Sequence, residues 1–205
     1  MASVHRTTMT PTKLDLLTRW LPSRSWYAGG AEKPELVKAG GFRLDDPEGE
    51  VGIEFMVVVD TGPADPVTYL VPMGYRGAPR EGAAEETLIG TSEHGVLGTR
   101  WIYDGAHDPV VTARLHALLR GEATPQHQSE SDTPDPTVTV RGNAPGYAHG
   151  AGTALDVGLV RVLRPEEEAP SPSWCLVAGW TRPDGTSVRG VFATAAPRHE
   201  AVPRG

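Results

Sequence analysis

The chain has 205 residues with 19 basic and 26 acidic side chains, a formal charge of −7, and a single cysteine, Cys175. A chain of this length buries a core without disulfide staples, and a lone thiol in an apolar run fits a reducing, cytoplasmic setting. The opening MASVHRTTMTPTK has no apolar signal core, no later stretch reaches the length of a membrane span, and basic residues are not clustered, so neither a membrane nor a nucleic-acid partner is expected.

The first predicted element is a helix, with Thr10 as cap, Pro11 at its first position, an apolar stripe of Leu14, Leu17, Trp20 and Leu21, and Pro22 as its end. The turn at Gly29 and Gly30 leads to Phe42–Asp46, the acidic turn DDPEGE, and a strand from Val51 to Asp60. Val51, Ile53, Phe55, Val57 and Val59 share one face of that strand. Its other face mixes Glu54 and Asp60 with apolar residues and is expected to meet solvent or a partner. Val67–Tyr75 follows as a strand in which Pro72 marks an edge or a bulge. A loop rich in Ala, Gly and Glu then precedes a strand at Leu97–Tyr103. Asp108, Pro109, the stripe Val111, Leu115, Leu118 and Leu119, and the closing Gly121 specify a second helix.

Residues 123–136, ATPQHQSESDTPDP, have almost no apolar content and read as an exposed linker. Short strands are predicted at Thr137–Arg141 and Ala154–Leu163, and a hairpin joins Trp174–Trp180 to Ser187–Thr194 through TRPDGT. The expected division is a first unit at 10–121, a linker at 122–136, a β-rich part at 137–197, either separate or within the same globule, and a frayed tail at 198–205.

No string has the glycines followed by Lys and Ser or Thr that a phosphate loop needs. The stretch RGNAPGYAHGAG, 141–152, lacks the strand and helix that would aim its amides at a phosphate. A kinase mechanism needs a strand lysine, a catalytic aspartate with a downstream asparagine, and a metal-binding aspartate. All three lysines, Lys13, Lys33 and Lys38, lie in the first fifth of the chain, and Asn143 is its only asparagine. His94, Tyr103, Asp104, His107 and Asp108 resemble a ligand cluster, but Asp108 is explained as a helix cap and Asp104 as part of a turn, so no metal is expected. Cys175 lies in the strand-like WCLVAG, where a thiol is inert. Trp26, Tyr27, Trp101 and Tyr103 are the candidate ligand or partner surface, weighed against plain core packing. No catalytic residue and no cofactor are expected.

The helix leading into WLPSRSWYAGG, the strand ending in YLVPMGY, and WIYDGAHDP before the second helix together resemble the N-terminal cap domain of actinobacterial maltokinases and related sugar kinases. In that family the corresponding patterns are like RWFAGKGR, YQVPL and a YDA step. The resemblance covers about residues 10–121. It implies an α+β, cystatin-like fold, a helix packed on a curved antiparallel sheet, here extended by further strands and a C-terminal hairpin. The family's basic residues after the aromatic turn are replaced by Gly30, Ala31 and Glu32, and the kinase lobes would have to follow the point where this chain stops. The resemblance therefore implies a cap-like protein without its kinase, and the reading leans away from an enzyme. The expected role is non-catalytic interaction or regulation around maltose, trehalose or α-glucan metabolism, with a sugar kinase or glucan-metabolising enzyme as partner. The alternatives are a sugar-binding protein and a subunit completing a separately encoded sugar kinase.

Overall fold

The computed structural model describes residues 9–30, 33–130, 132–142, 155–168 and 172–198. Most of the glycine-rich stretch, with Asn143, lies outside them, as do Ala31, Glu32, Ala154 and the tail from residue 199. The chain begins with β1 (Met9–Thr10), α1 (Lys13–Trp20), β2 (Leu36–Leu44), β3 (Gly52–Asp60) and β4 (Val67–Arg76). It continues through β5 (Leu88–His94), β6 (Gly98–Asp104), α2 (Pro109–Leu119), β7 (Gln126–His127) and β8 (Thr139–Arg141). It ends with β9 (Leu155–Leu159), β10 (Val162–Leu163), β11 (Cys175–Thr181) and β12 (Ser187–Pro197). The result is a sheet-rich α+β fold in which all described strands belong to one 12-stranded sheet.

The main path of that sheet runs β1-β5-β6-β4-β3-β2-β11-β12-β9, and every pairing is antiparallel. β10, two residues beyond β9, pairs with β4 through Val162 opposite Tyr69 and Leu163 opposite Thr68. The Leu70 amide also donates to the Arg161 carbonyl at 3.0 Å. Hydrogen bonding thus runs from β4 through β3, β2, β11, β12 and β9, and the chain itself leads on from β9 to β10, which pairs back to β4. The sheet curls on itself, and strands from both halves of the sequence share its interior. The region expected to be a linker also takes part, because β7 pairs with Phe42 and Arg43 of β2.

Burial divides the apolar residues between the two faces of the curled sheet. On the inner face Phe42, Ile53, Phe55, Val57, Val59 and Leu70 join the α2 stripe and Trp174, Leu176, Trp180 and Phe192 of the C-terminal hairpin. The Phe42 and Phe55 rings stack 4.6 Å apart. On the outer face Met56, Val58, Tyr69, Val71 and Met73 lie under Leu16, Leu17, Trp20 and Leu21. The second face of β3, expected to meet solvent or a partner, is taken up within the chain along Met56 and Val58. α1 covers it, and Asp60 is buried as the acceptor for the Tyr27 hydroxyl at 2.8 Å and the Glu35 amide at 3.0 Å.

α1 has only eight residues, too few to be stable by propensity. Leu17 and Leu21 are fully buried, each contributing about 2–3 kcal/mol, so docking holds the helix. Its cap is Thr12 rather than Thr10. The Thr12 hydroxyl accepts from the Asp15 amide and the Asp15 carboxylate accepts from the Thr12 amide, a reciprocal capping box. Pro22 does not end the helix abruptly, since Leu21–Ser23 continue it as one 3-10 turn. α2 matches its expected form, with Asp108 as cap, Pro109 first and Gly121 after it at φ 76°.

Pro72 sits where β4 changes partner. Its nitrogen points to the same side as the Leu70 amide, between the residues paired with β10 and those paired with β6, which begin at Met73. No strand asks for an N–H there. β5 is a strand inside the segment expected to be a loop.

β2 carries a bulge between Lys38 and Gly40. Just after it, Gly41 has φ 130°, and a Cβ there would lie 2.1 Å from the Phe55 carbonyl oxygen. Gly41→Ala is expected to cost about 2 kcal/mol, measured as a lowered urea midpoint. An unchanged midpoint would show that β2 can shift freely.

Candidate functional site

Beyond the N-terminal end of α1, the outer face of the sheet opens into a groove of about 780 Å³. Its floor is built on Glu54, a carboxylate in the interior of β3 and 4 % exposed. Lys13, the first residue of α1, donates to Glu54 Oε2 at 2.6 Å, and the Tyr75 hydroxyl donates to the same oxygen at 2.5 Å. Gln128 Nε2 donates to Oε1 at 2.7 Å. Gln128 reaches that position over Gly41, where a Cβ would stand 3.0 Å from its nitrogen.

Burial alone would raise the Glu54 pKa. The Lys13 ammonium and the three hydrogen bonds outweigh it and hold the carboxyl below the ordinary glutamate range. The Tyr75 hydroxyl is pushed well above its ordinary value by burial and by the Glu54 charge. Glu54 is thus an ionised carboxylate with both oxygens engaged. It ties α1, β3, β4 and the chain after β7 together through three accepted hydrogen bonds.

Arg43 lies directly across the ladder from Glu54, and Lys38 across from Val58, so both project on the α1 side of the sheet. Both line the groove, as does Arg100. Lys38 is exposed at the residue level, yet the protein around it removes enough water to lower its ammonium pKa. The like charge of Lys13 adds to that effect and Glu54 opposes it.

A second constellation lies farther along the outer face. Trp26 and Tyr27 pack on Tyr69, with ring centroids 6.0 and 5.5 Å away, and the Tyr69 hydroxyl accepts from the Ala28 amide at 3.0 Å. Arg161, from the second half of the chain, lays its guanidinium 4.8 Å over the Trp26 ring. Its Nη2 donates to both oxygens of Asp104, at 2.8 and 2.6 Å. Next to Asp104, Gly105 packs so tightly that a Cβ would meet Pro72 at 2.9 Å and Val111 at 2.7 Å. The three sequence patterns, WLPSRSWYAGG, YLVPMGY and WIYDGAHDP, therefore meet in space through Trp26, Tyr69, Pro72, Asp104 and Gly105.

The four aromatics singled out by sequence do not share one surface. Trp26 and Tyr27 are on the α1 side. Trp101 and Tyr103 stand opposite Arg76 and Gly74 in the ladder of β4 and β6, on the face that meets Asp108 and Val111 of α2. Tyr103 is 4 % exposed, and its hydroxyl accepts from the Arg80 amide at 2.9 Å. None of the four lines the groove. Sequence reasoning passed over Lys13, Glu54, Tyr75 and Gln128. The available signals were an acidic residue inside an otherwise apolar strand and the early clustering of lysines.

The remaining candidates are structural in place. Asp108 caps α2 through the Val110 and Val111 amides and receives a two-pronged bond from Arg76 at 2.7 and 2.9 Å. Cys175 is fully buried in the sheet, and burial raises its thiol pKa. All six buried carboxylates among the described residues are occupied. Asp46 accepts from the amides of Glu48, Glu50 and Val51, and Asp135 from the amide and hydroxyl of Thr137, while Glu54, Asp60, Asp104 and Asp108 are engaged as above. Among the described residues no helix is long and apolar enough to cross a membrane.

These features define a sheet-rich α+β module whose outer face is organised around an aromatic turn. Residues 20–108, from the last turn of α1 to the cap of α2, match the family model of the maltokinase N-terminal cap domain, and this part of the chain resembles that domain. No curated protein matches the chain significantly.

Proposed function

We propose that this chain is a non-catalytic cap-type module acting with a protein partner in cytoplasmic maltose, trehalose or α-glucan metabolism, the partner being a sugar kinase. The observation that carries this reading is the cap-domain match over residues 20–108, supported by the meeting of the three motif segments around Trp26, Tyr69 and Asp104. On this reading α1 against the outer face is a cystatin-like cap core. The half-exposed Trp101 belongs to the surface offered to the partner.

The non-catalytic part rests on the spent carboxylates. A general base or metal ligand needs a lone pair facing substrate, whereas the buried acids here are committed to arginines, amides and Lys13. The test is ATP-dependent phosphorylation of maltose by the purified chain, alone and with a maltokinase added. The expected result is no transfer by the chain alone and a stoichiometric complex with the kinase by light scattering. Phosphoryl transfer by the chain alone would overturn the non-catalytic reading, and absence of both a complex and any rate effect would overturn the partnership.

A further inference from the structure

We propose that the tip of the β5–β6 hairpin is a proton-operated element. The neutral imidazole of His94 holds the apolar pair Val96 and Leu97 in place at the rim of the groove, and protonation of that ring releases them. This inference is independent of the kinase partnership and rests on which ring nitrogen faces the turn.

β5 ends at His94, and Gly98 at the start of β6 lies directly across the ladder from it. Gly95, Val96 and Leu97 make the turn, and Gly98 follows at φ 68°, a conformation suited to glycine. His94 Nδ1 accepts from the Leu97 amide at 3.1 Å and from the Val96 amide at 3.4 Å. Asp and Asn side chains hold turns in a similar way, but their oxygens stay acceptors across the neutral range. A histidine nitrogen does not. Because a backbone N–H can only donate, Nδ1 must present its lone pair to the turn, and the proton of the neutral ring sits on Nε2. The imidazolium carries a proton on both nitrogens, so its Nδ1–H would face two donors. Both bonds therefore exist only with the neutral ring.

The residues held in this way are the ones the core explains least. Val96 and Leu97 are 62 % and 44 % exposed, the most exposed large apolar side chains among the described residues. Leu97 lines the groove with Met9 and Leu14, and His94 lines it too. A change of charge at His94 is thus passed to the apolar wall of the groove through the backbone of the next three residues. The other charged groups packed about the tip do not change over the same range. On its own strand Glu93 accepts from the Thr99 hydroxyl at 2.6 Å, β6 brings Arg100 and α1 brings Lys13 into the groove, and β1 pairs through the uncharged Met9 and Thr10. Carboxylate, guanidinium and ammonium groups keep their charge between about pH 8 and pH 5, where histidine switches. His94 belongs to no metal-ligating cluster among the described residues, so its ring is left to answer to protons.

The test is an NMR titration of the isotope-labelled full chain from about pH 8 to pH 5, the span in which histidine changes charge. At the upper end the His94 ring is expected as the Nε2–H tautomer. As pH falls, the Val96 and Leu97 amide shifts should move with the same midpoint as the His94 ring protons. In His94→Asn the side-chain oxygen can accept from the same amides without titrating, so their pH dependence should vanish, while His107→Asn leaves it in place. The amide spectrum of the strands away from the turn reports whether each variant is folded, and the parent titration stands without either. A His94 ring protonated on Nδ1 at the upper end, tip amides that do not follow the ring, or the same titration persisting in His94→Asn would each overturn the proposal.

Discussion

An Arg161→Met substitution is expected to lower the unfolding free energy by about 3–5 kcal/mol, the cost of leaving a buried charge without its partner. The Asp104 side chain is 3 % exposed and that of Arg161 12 %. Without the guanidinium, Asp104 retains the Ala106 amide at 3.2 Å and the exposed His107 at 4.0 Å. The methionine keeps much of the packing against Trp26 and loses the charge, so the loss reports on Asp104. The double variant Arg161→Met, Asp104→Asn removes both charges and should recover at least half of it. Urea unfolding followed by tryptophan fluorescence reads the effect directly, because Trp26 lies beneath Arg161. A single-variant loss below about 1 kcal/mol, the range of exposed pairs, would show that Arg161 does not join the second half of the chain to the aromatic turn.

The elements that sequence reveals well are those specified by their own residues. α2 is one, because Asp108, Pro109, the apolar spacing and Gly121 all fall within fourteen consecutive positions. The C-terminal hairpin is another, set by the PDG turn. α1 shows how a local rule misleads. Proline at the first helical position favoured Thr10 as cap, whereas the capping box of Thr12 and Asp15, also local, decides the start. β5 escaped notice because LIGTSEH offers only Leu88 and Ile89 as apolar residues, with Gly90 beside them. It forms because Ile89 packs in the cluster beneath α1 and its backbone pairs with β6.

Closure of the sheet was not legible for a different reason. It depends on the two-residue pairing of β10 with β4 and on the single pairing of Gly40 in β2 with Trp180 in β11, which no periodicity announces. The groove shares that obstacle. Glu54 meets partners 41, 21 and 74 positions away in sequence, so its chemistry exists only once the strands are in register. The family patterns were legible as strings, and the fold supplies their physical basis by bringing Trp26, Tyr69 and Asp104 to one place.

The second large effect is expected at Lys13, through the acid dependence of stability. The folded-state pKa of Glu54 lies below its ordinary value. Its contribution is therefore fully present above about pH 4 and is lost as pH falls through the folded value. Glu54→Gln should flatten that part of the acid limb. Lys13→Met acts in the opposite sense, leaving the carboxylate buried with only Tyr75 and Gln128. It is expected to cost about 3 kcal/mol at neutral pH, the lower end for a broken buried pair because Lys13 is one-third exposed. In that variant burial prevails and the Glu54 pKa rises above its unfolded value. The deficit relative to the parent should accordingly narrow as pH falls from 7 towards 4, since protonation relieves the unpaired charge. Urea midpoints at several pH values measure both slopes. A deficit that stays constant with pH would mean that Lys13 contributes by packing over the Tyr75 ring, 5.3 Å from its ammonium, and not by holding the charge of Glu54.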